Sequence, residues 1–191
     1  MKGIPKRIGI KWGLKTRQIK DYGNSIFINR TDLVRNSILD GNVDTDKFIF
    51  LVKSAQVVTI QQYMGTKLYD KMGLLISNGD IDLPANAAYK TLLNEYIQPM
   101  LIWYSQVDYI RFAAYQIRNG GIYKHSSENS ETVSKDEVDF LVEKCRTQAD
   151  WYSRRFIDFM AFNQQTYPEY TNNTNDDLYP SQDAVFNGWN I

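Results

Sequence analysis

Between Tyr96 and Ile117 the polar face that a surface helix keeps is missing. The stretch reads YIQPMLIWYSQVDYIRFAAYQI, and fifteen of its 22 residues are apolar or aromatic, on every side of a helical wheel. A helix apolar nearly all round is covered by other elements. The run is too long and too unalternating for a strand. It predicts a central, enclosed helix. Pro99 sits near its start, where it either opens the helix as part of the first turn or kinks a longer one beginning near Pro84.

Amphipathic segments flank this stretch. Thr31–Leu39 predicts a short helix capped by Asn29 or Thr31 and stopped by Gly41. A longer helix follows, capped by Asp44 or Thr45, with Phe48, Leu51, Val52, Ala55, Val58 and Gln62 on its inner face. Gly65 interrupts it. A further helix from Thr66 carries Leu68, Tyr69, Met72 and Leu75, and Ser77-Asn78-Gly79-Asp80 makes a turn. Pro84 suits the first turn of the next element, which turns Tyr89, Leu92, Leu93, Tyr96 and Ile97 inward. Asn119-Gly120-Gly121 ends the central helix.

Residues 121–133 are polar and carry no helical stripe. They predict an extended excursion or hairpin, with Ile122-Tyr123-Lys124 as one arm, Glu131-Thr132-Val133 as the other and 126–130 as the tip. A loop of this length inside a helical body is a place for a partner or a channel lumen, and Tyr123, Lys124, His125 and Glu128 are its candidate contact residues. Ser134 with Glu137 three residues later is a capping-box signature. The helix it opens turns Val138, Leu141, Val142, Cys145, Ala149, Tyr152, Phe156 and Phe159 inward. Glu143, Lys144, Arg146, Asp150 and Arg154 face out. Cys145 on the apolar stripe reads as a core residue, not a nucleophile. The connection predicts antiparallel packing on the central helix.

Charge separates the two ends of an otherwise neutral chain of 191 residues. Residues 1–20 hold Lys2, Lys6, Arg7, Lys11, Lys15, Arg17 and Lys20 and no acid. Residues 168–191 hold Glu169, Asp176, Asp177 and Asp183 and no base. The front also has Ile8, Ile10, Trp12 and Leu14 between polar neighbours, which suits an interaction arm better than a merely solvated tail. The end has scattered anchors, Tyr167, Tyr170, Leu178, Tyr179, Val185, Phe186, Trp189 and Ile191, on a chain too polar to fold alone. Such a segment orders by binding a partner or by folding back on its own domain, and the foreign partner is slightly favoured. The expected organisation is therefore a basic arm (1–28), a helical domain (29–163) and an acidic, aromatic tail (164–191). The fold class is mainly α: an antiparallel helical bundle with a long polar loop or β-hairpin between its two last long helices, and extended terminal arms.

Little here points to catalysis. The one histidine, His125, has no carboxylates at metal-ligand spacing, and one His without a nucleophile elbow makes no triad. There is no Walker loop and no GxGxxG. Asp108 and Arg111, three apart in the central stretch, read as a satisfied ion pair or a helix-edge pair. One cysteine excludes an internal disulfide. No segment reads as a leader, and no run approaches the ~20 apolar residues of a membrane span. We expect no enzyme, no cofactor, no metal and no membrane.

The order of phrases resembles a known group. Phe48–Asp70 contains "Met-Gly-Thr-Lys-Leu-Tyr-Asp", and Tyr96–Leu101 reads "Tyr-Ile-Gln-Pro-Met-Leu". Arg118–Ile122 reads "Arg-Asn-Gly-Gly-Ile", a "Ser-Glu-Asn-Ser-Glu" loop follows, and Ala149–Met160 reads "Ala-Asp-Trp-Tyr-Ser-Arg-Arg-Phe-Ile-Asp-Phe-Met". Over roughly 44–160 this is similar to the helical head–tail connector (adaptor, head-completion) proteins of tailed phages, with the nearest likeness to connector-ring proteins of crAss-like phages. The resemblance implies a virion protein of the head–tail connector, assembled in the host cytoplasm. It would form a homo-oligomeric ring, commonly of twelve copies, docked on the portal protein and on further tail or ring proteins. Genomic DNA would pass through without sequence-specific binding. In that setting the tail residues Tyr167, Tyr170, Leu178, Tyr179, Phe186 and Trp189 are candidates for portal or neighbour contact. The alternative is a nucleic-acid-binding helical protein using the basic arm, whose affinity would fall steeply with salt.

Overall fold

The computed structural model describes residues 25–38, 45–113, 115–118, 121–124, 134–172 and 178–182. It is mainly helical. In chain order the elements are α1 (Arg30–Asn36), α2 (Thr45–Ala55), a π-helical turn (Gln56–Ile60), α3 (Gln61–Met64) and α4 (Thr66–Ser77). Two 3-10 turns (Asp80–Asp82, Pro84–Asn86) lead into α5 (Ala87–Leu92), a second π-turn (Leu93–Ile97) and α6 (Gln98–Ala113). Strands β1 (Tyr115–Arg118) and β2 (Gly121–Lys124) pair antiparallel, with Tyr115 opposite Lys124 and Arg118 opposite Gly121. The last elements are α7 (Lys135–Phe162) and α8 (Pro168–Thr171).

α6 is the axis, packed by α2 and by α7. From Met100 to Val107 it is buried at every position except the half-buried Trp103. α7 runs antiparallel to it: Tyr96 stacks on Phe159, Tyr104 meets Asp150 and Ser153, and Val107 packs with Val142 and Cys145. Cys145 is buried, and burial pushes its thiol up from its ordinary value. The central helix is shorter than expected. It ends at Ala113, with Arg111 and Phe112 already exposed, and Tyr115–Ile117 is extended backbone paired with β2. Leaving the enclosed part of the bundle removes the neighbours that would cover an apolar helix there.

Local capping signals act where expected. The Asn29 side chain accepts from the Asp32 N–H at 2.8 Å, and Ser134 and Glu137 form a capping box. Leu68, Tyr69, Met72 and Leu75 of α4 are buried.

Pro99 does not open a helix; it lies inside a longer one that begins near Pro84, because α5, the second π-turn and α6 run on continuously. A helix-interior proline has no N–H to offer the carbonyl four residues back and crowds it. The wider π-turn just before it relieves that crowding, with the Gln98 N–H reaching back five residues to Leu93. The carbonyl that Pro99 leaves without a donor is that of Glu95, and Arg155 Nη1 on α7 donates to it at 2.9 Å. The same guanidinium lies 4.5 Å from the Tyr96 ring centroid.

The first π-turn changes which side of its helix faces in. One extra residue per turn rotates everything beyond it by about 100°. Phe48, Val52 and Ala55 are buried as expected, but the inner face then continues through Gln56, Thr59, Ile60 and Tyr63. Val58 and Gln62, expected inside, are exposed. A straight 3.6-residue period cannot anticipate this.

Candidate interaction surfaces

The packed body is larger than the sequence suggests at both ends, and this decides what each arm can touch. Phe27 and Ile28, assigned to the arm, are core residues. Two glutamines hold this segment by its backbone, and a third holds the chain just beyond α1. Gln56 accepts from the Phe27 N–H at 2.8 Å and donates to the Ser25 carbonyl at 3.0 Å and to Tyr69 Oη at 3.0 Å. Gln98 donates to the Phe27 carbonyl at 2.9 Å, and Gln106 accepts from the Ile38 N–H at 2.9 Å. The buried amides are thereby satisfied, as buried polar groups must be. Lys2, Lys6, Arg7, Lys11, Lys15, Arg17 and Lys20 lie outside the described residues.

At the other end, Tyr167 and Tyr170 are buried in their own domain and not available to a partner, which corrects the expected role of these two residues. Tyr167 packs edge-on to Tyr89 and donates to the Ala88 carbonyl at 3.0 Å. Tyr170 packs edge-on to Phe156. The physical cause is that the chain turns straight back after Asn163, so the aromatics of α8 fall on α5 and α7. Glu169 accepts from Tyr89 Oη at 2.7 Å, and with burial this pushes the Tyr89 phenol far up.

Residues 178–182 then cross the Gly65 elbow as a strap. The Thr66 N–H donates to the Leu178 carbonyl at 3.0 Å, the Leu178 N–H to Thr66 Oγ1 at 2.9 Å, and the Ser181 N–H to the Gln62 carbonyl at 2.9 Å. α4 has no side-chain cap at its start; the strap supplies a backbone acceptor to one of its orphan donors. Leu178 is half-buried by this, Pro180 is buried, and Tyr179 is exposed. Phe186 and Trp189 lie outside the described residues. Lys67 donates to the Asn172 carbonyl at the C-terminal end of α8.

Two exposed apolar stripes remain, on the helices flanking α6. On α7, Phe140, Trp151 and Phe162 stand eleven residues apart, which is three helical turns, so they share one face. Their exposures are 61%, 56% and 89%. The face is about 33 Å long at 1.5 Å per residue. Lys144 lies over the Phe140 ring and Arg155 over Trp151. Leu141, expected inside, is also exposed. On α2 and the first π-turn the stripe is Phe50, Val57 and Val58, with Lys53 and Gln62 beside them. Aromatics are enriched at protein contact surfaces, which makes these faces candidates for one. The inner face of α7 gives no sign of this stripe; its signal in the sequence is the eleven-residue recurrence of Phe140, Trp151 and Phe162.

Buried polar groups of the described residues tie the helices to one another. Tyr104 Oη lies 3.3 Å from Tyr63 Oη, 3.0 Å from Ser153 Oγ and 3.3 Å from Asp150 Oδ1, tying α3, α6 and α7 together. Burial pushes Tyr104 well above its ordinary value and also raises Asp150, against the Tyr104 hydrogen bond. Asp108 is half-buried and raised by desolvation, with the Arg111 charge pulling the other way. Tyr123 and Lys124 belong to β2, while His125 and Glu128 lie outside the described residues. Among the described residues no helix is long and apolar enough to cross a membrane, and none group as three or more His, Cys, Asp or Glu able to hold a metal ion.

Residues 60–178 match the model of a family described as Family of unknown function (DUF6712). The chain belongs to that family. No curated protein and no solved structure matches it. The DUF6712 match runs from the end of the first π-turn, through the elbow, α6 and α7, to the first residue of the strap. It therefore takes in both partners of the Thr66–Leu178 contact and the whole α7 stripe.

Proposed function

We propose that this chain is a structural adaptor that assembles into a ring, commonly of twelve copies, and joins the portal to the tail of a tailed phage while DNA passes through. The observation that carries the reading is the face of Phe140, Trp151 and Phe162 on α7. A ring closes through unlike faces repeated by rotation. An aromatic stripe on one flank of α6, with α2 and the α4 elbow elsewhere on the body, supplies such an unlike pair. The similarity of its phrases to head–tail connector proteins supplies the setting, namely a virion with portal and tail proteins as partners. In this reading the protein is not an enzyme. The expected arm Ile122-Tyr123-Lys124 is in β2, but its partner is Tyr115–Arg118; Glu131-Thr132-Val133, expected as that partner, lies outside the described residues. In this reading the polar segment 121–133 presents Tyr123, Lys124, His125 and Glu128 to the channel or the next subunit, and its near-neutral charge suits a channel that must not grip phosphate. Tyr179, which is exposed, remains a candidate for contact beyond the domain.

The test is mass by light scattering, alone and then with a portal protein. A ring-sized species, or a monomer that assembles only with the portal, supports the adaptor. A monomer indifferent to the portal refutes it. The seven basic residues of 1–20 favour a second reading, a nucleic-acid-binding protein. It requires salt-sensitive binding that disappears when residues 1–20 are deleted.

A further inference from the structure

The stripe on α2 and the first π-turn has a specific occupant within reach. Phe50, Val57 and Val58 are exposed to 70%, 42% and 64%, with Gln62 beyond them on the same side. The π-turn produces this stripe, since it swings Val58 out of the core. The strap delivers the chain to one end of it. Ser181 is pinned to the Gln62 carbonyl at 2.9 Å, and Pro180 is wedged against Gly65. Residues 183–191 follow, and they carry Val185, Phe186, Trp189 and Ile191, four apolar anchors in nine residues. From Gln62 to Phe50 is about 18 Å along the helix at 1.5 Å per residue. Nine extended residues span about 30 Å, so the segment covers the stripe with length to spare. Of the earlier anchors of the same tail, Tyr167 and Tyr170 are buried against their own domain, Leu178 is half-buried and Tyr179 is exposed, while Pro180 beside them is buried. The root of the other arm is held elsewhere, with Ser25 Oγ donating to the Gly73 carbonyl of α4 at 3.2 Å.

We propose that residues 183–191 dock in cis along the Phe50–Val57–Val58 stripe of the same chain. A tether this short places the segment at roughly millimolar effective concentration over the stripe, so weak apolar contacts suffice to hold it. The surface then takes an acidic, aromatic peptide, and the segment that reads as a partner-seeking tail becomes the cover of its own helix. The inference does not depend on the ring, and its test separates the two.

Cysteine pairs read it in the full chain. Val58→Cys is combined in turn with Val185→Cys, Phe186→Cys and Trp189→Cys, leaving the buried Cys145 in place. Each variant is oxidised mildly at low protein concentration and mapped by proteolysis and mass. The expected result is an intramolecular link from position 58 to at least one tail position. Gln148→Cys, exposed on α7, forms none with the same three. A second readout is hydrogen exchange, where ending the chain after Gln182 raises exchange across 48–62 and leaves 140–162 unchanged. Failure of all three pairs, or equal linking to position 148, overturns the proposal. Links that form only between chains assign the stripe to a neighbour's tail, and protection of 48–62 lost only on deleting residues 1–24 assigns it to the basic arm. Either result also overturns it.

Discussion

Replacing Gly65 by alanine tests the strap and the elbow together. Gly65 sits at φ 73°, ψ 158°, a region open essentially to glycine alone, where another residue costs about 1–3 kcal/mol. An added Cβ would lie 2.7 Å from Cγ and Cδ of Pro180. A proline ring cannot swing away as a flexible side chain can, so the strap must lift. Lifting forfeits its three hydrogen bonds to Gln62 and Thr66, each worth about 0.5–1.5 kcal/mol. Taking the middle of both ranges, Gly65→Ala costs about 5 kcal/mol. For a chain of this size that lowers Tm by roughly 10–20 °C. Urea and thermal melts measure it, and Pro180→Gly supplies the second arm of a double-mutant cycle. With the ring gone, Gly65→Ala should cost the backbone strain alone, about 1–3 kcal/mol. A loss below about 1 kcal/mol would refute the strain argument. An equal loss in both backgrounds would refute the contact with Pro180.

Other changes separate the remaining contacts. Arg155→Ala should lower stability by about 1–3 kcal/mol, because it strips the donor from the Glu95 carbonyl that Pro99 leaves open and removes a cation over Tyr96. Glu95→Gln should be near neutral in the same melts, since its carboxylate is an exposed partner at 3.8 Å; a large loss there would shift the role to the ion pair. Asp108 has a folded pKa raised by desolvation, so the native state binds its proton more tightly than the unfolded chain, and stability is lost as pH rises through that raised window. Asp108→Asn should therefore stabilise at neutral pH, with the gain shrinking as pH falls through the carboxylate range; destabilisation at neutral pH would mean that the charged form has a partner. Replacing Phe140, Trp151 and Phe162 together by serine should leave the monomer's melting within about 1 kcal/mol, because exposed substitutions cost little. It should reduce the mass seen by light scattering with the portal, and an unchanged assembly would remove α7 from the ring contact.

The sequence by itself determined the features whose cause lies within a few residues. Asn29 and Ser134 are caps because each side chain accepts from an N–H three residues on, and Glu137 closes the box by accepting from the Ser134 N–H three residues back. Gly65 breaks its helix because no other residue takes that backbone conformation readily. Tyr96–Val107 is enclosed because an apolar surface on all sides has to be covered. The acidic and basic ends, and the eleven-residue recurrence of aromatics on α7, are legible in the same way. Tertiary structure decided the rest. The π-turns at Gln56–Ile60 and Leu93–Ile97 reset the helical phase, so Gln62 went out and Ile60 came in, and a period of 3.6 carries no sign of that. The second of them, with Arg155 sixty residues away, is what makes Pro99 tolerable inside a helix. Tyr167 and Tyr170 look like partner anchors in sequence because nothing near them shows that the chain turns back onto Tyr89 and Phe156. The cap of α4 is the carbonyl of Leu178, a residue more than a hundred positions from Thr66. Contacts across that distance depend on how the whole bundle closes, and closure is set by packing summed over many residues that no local pattern encodes.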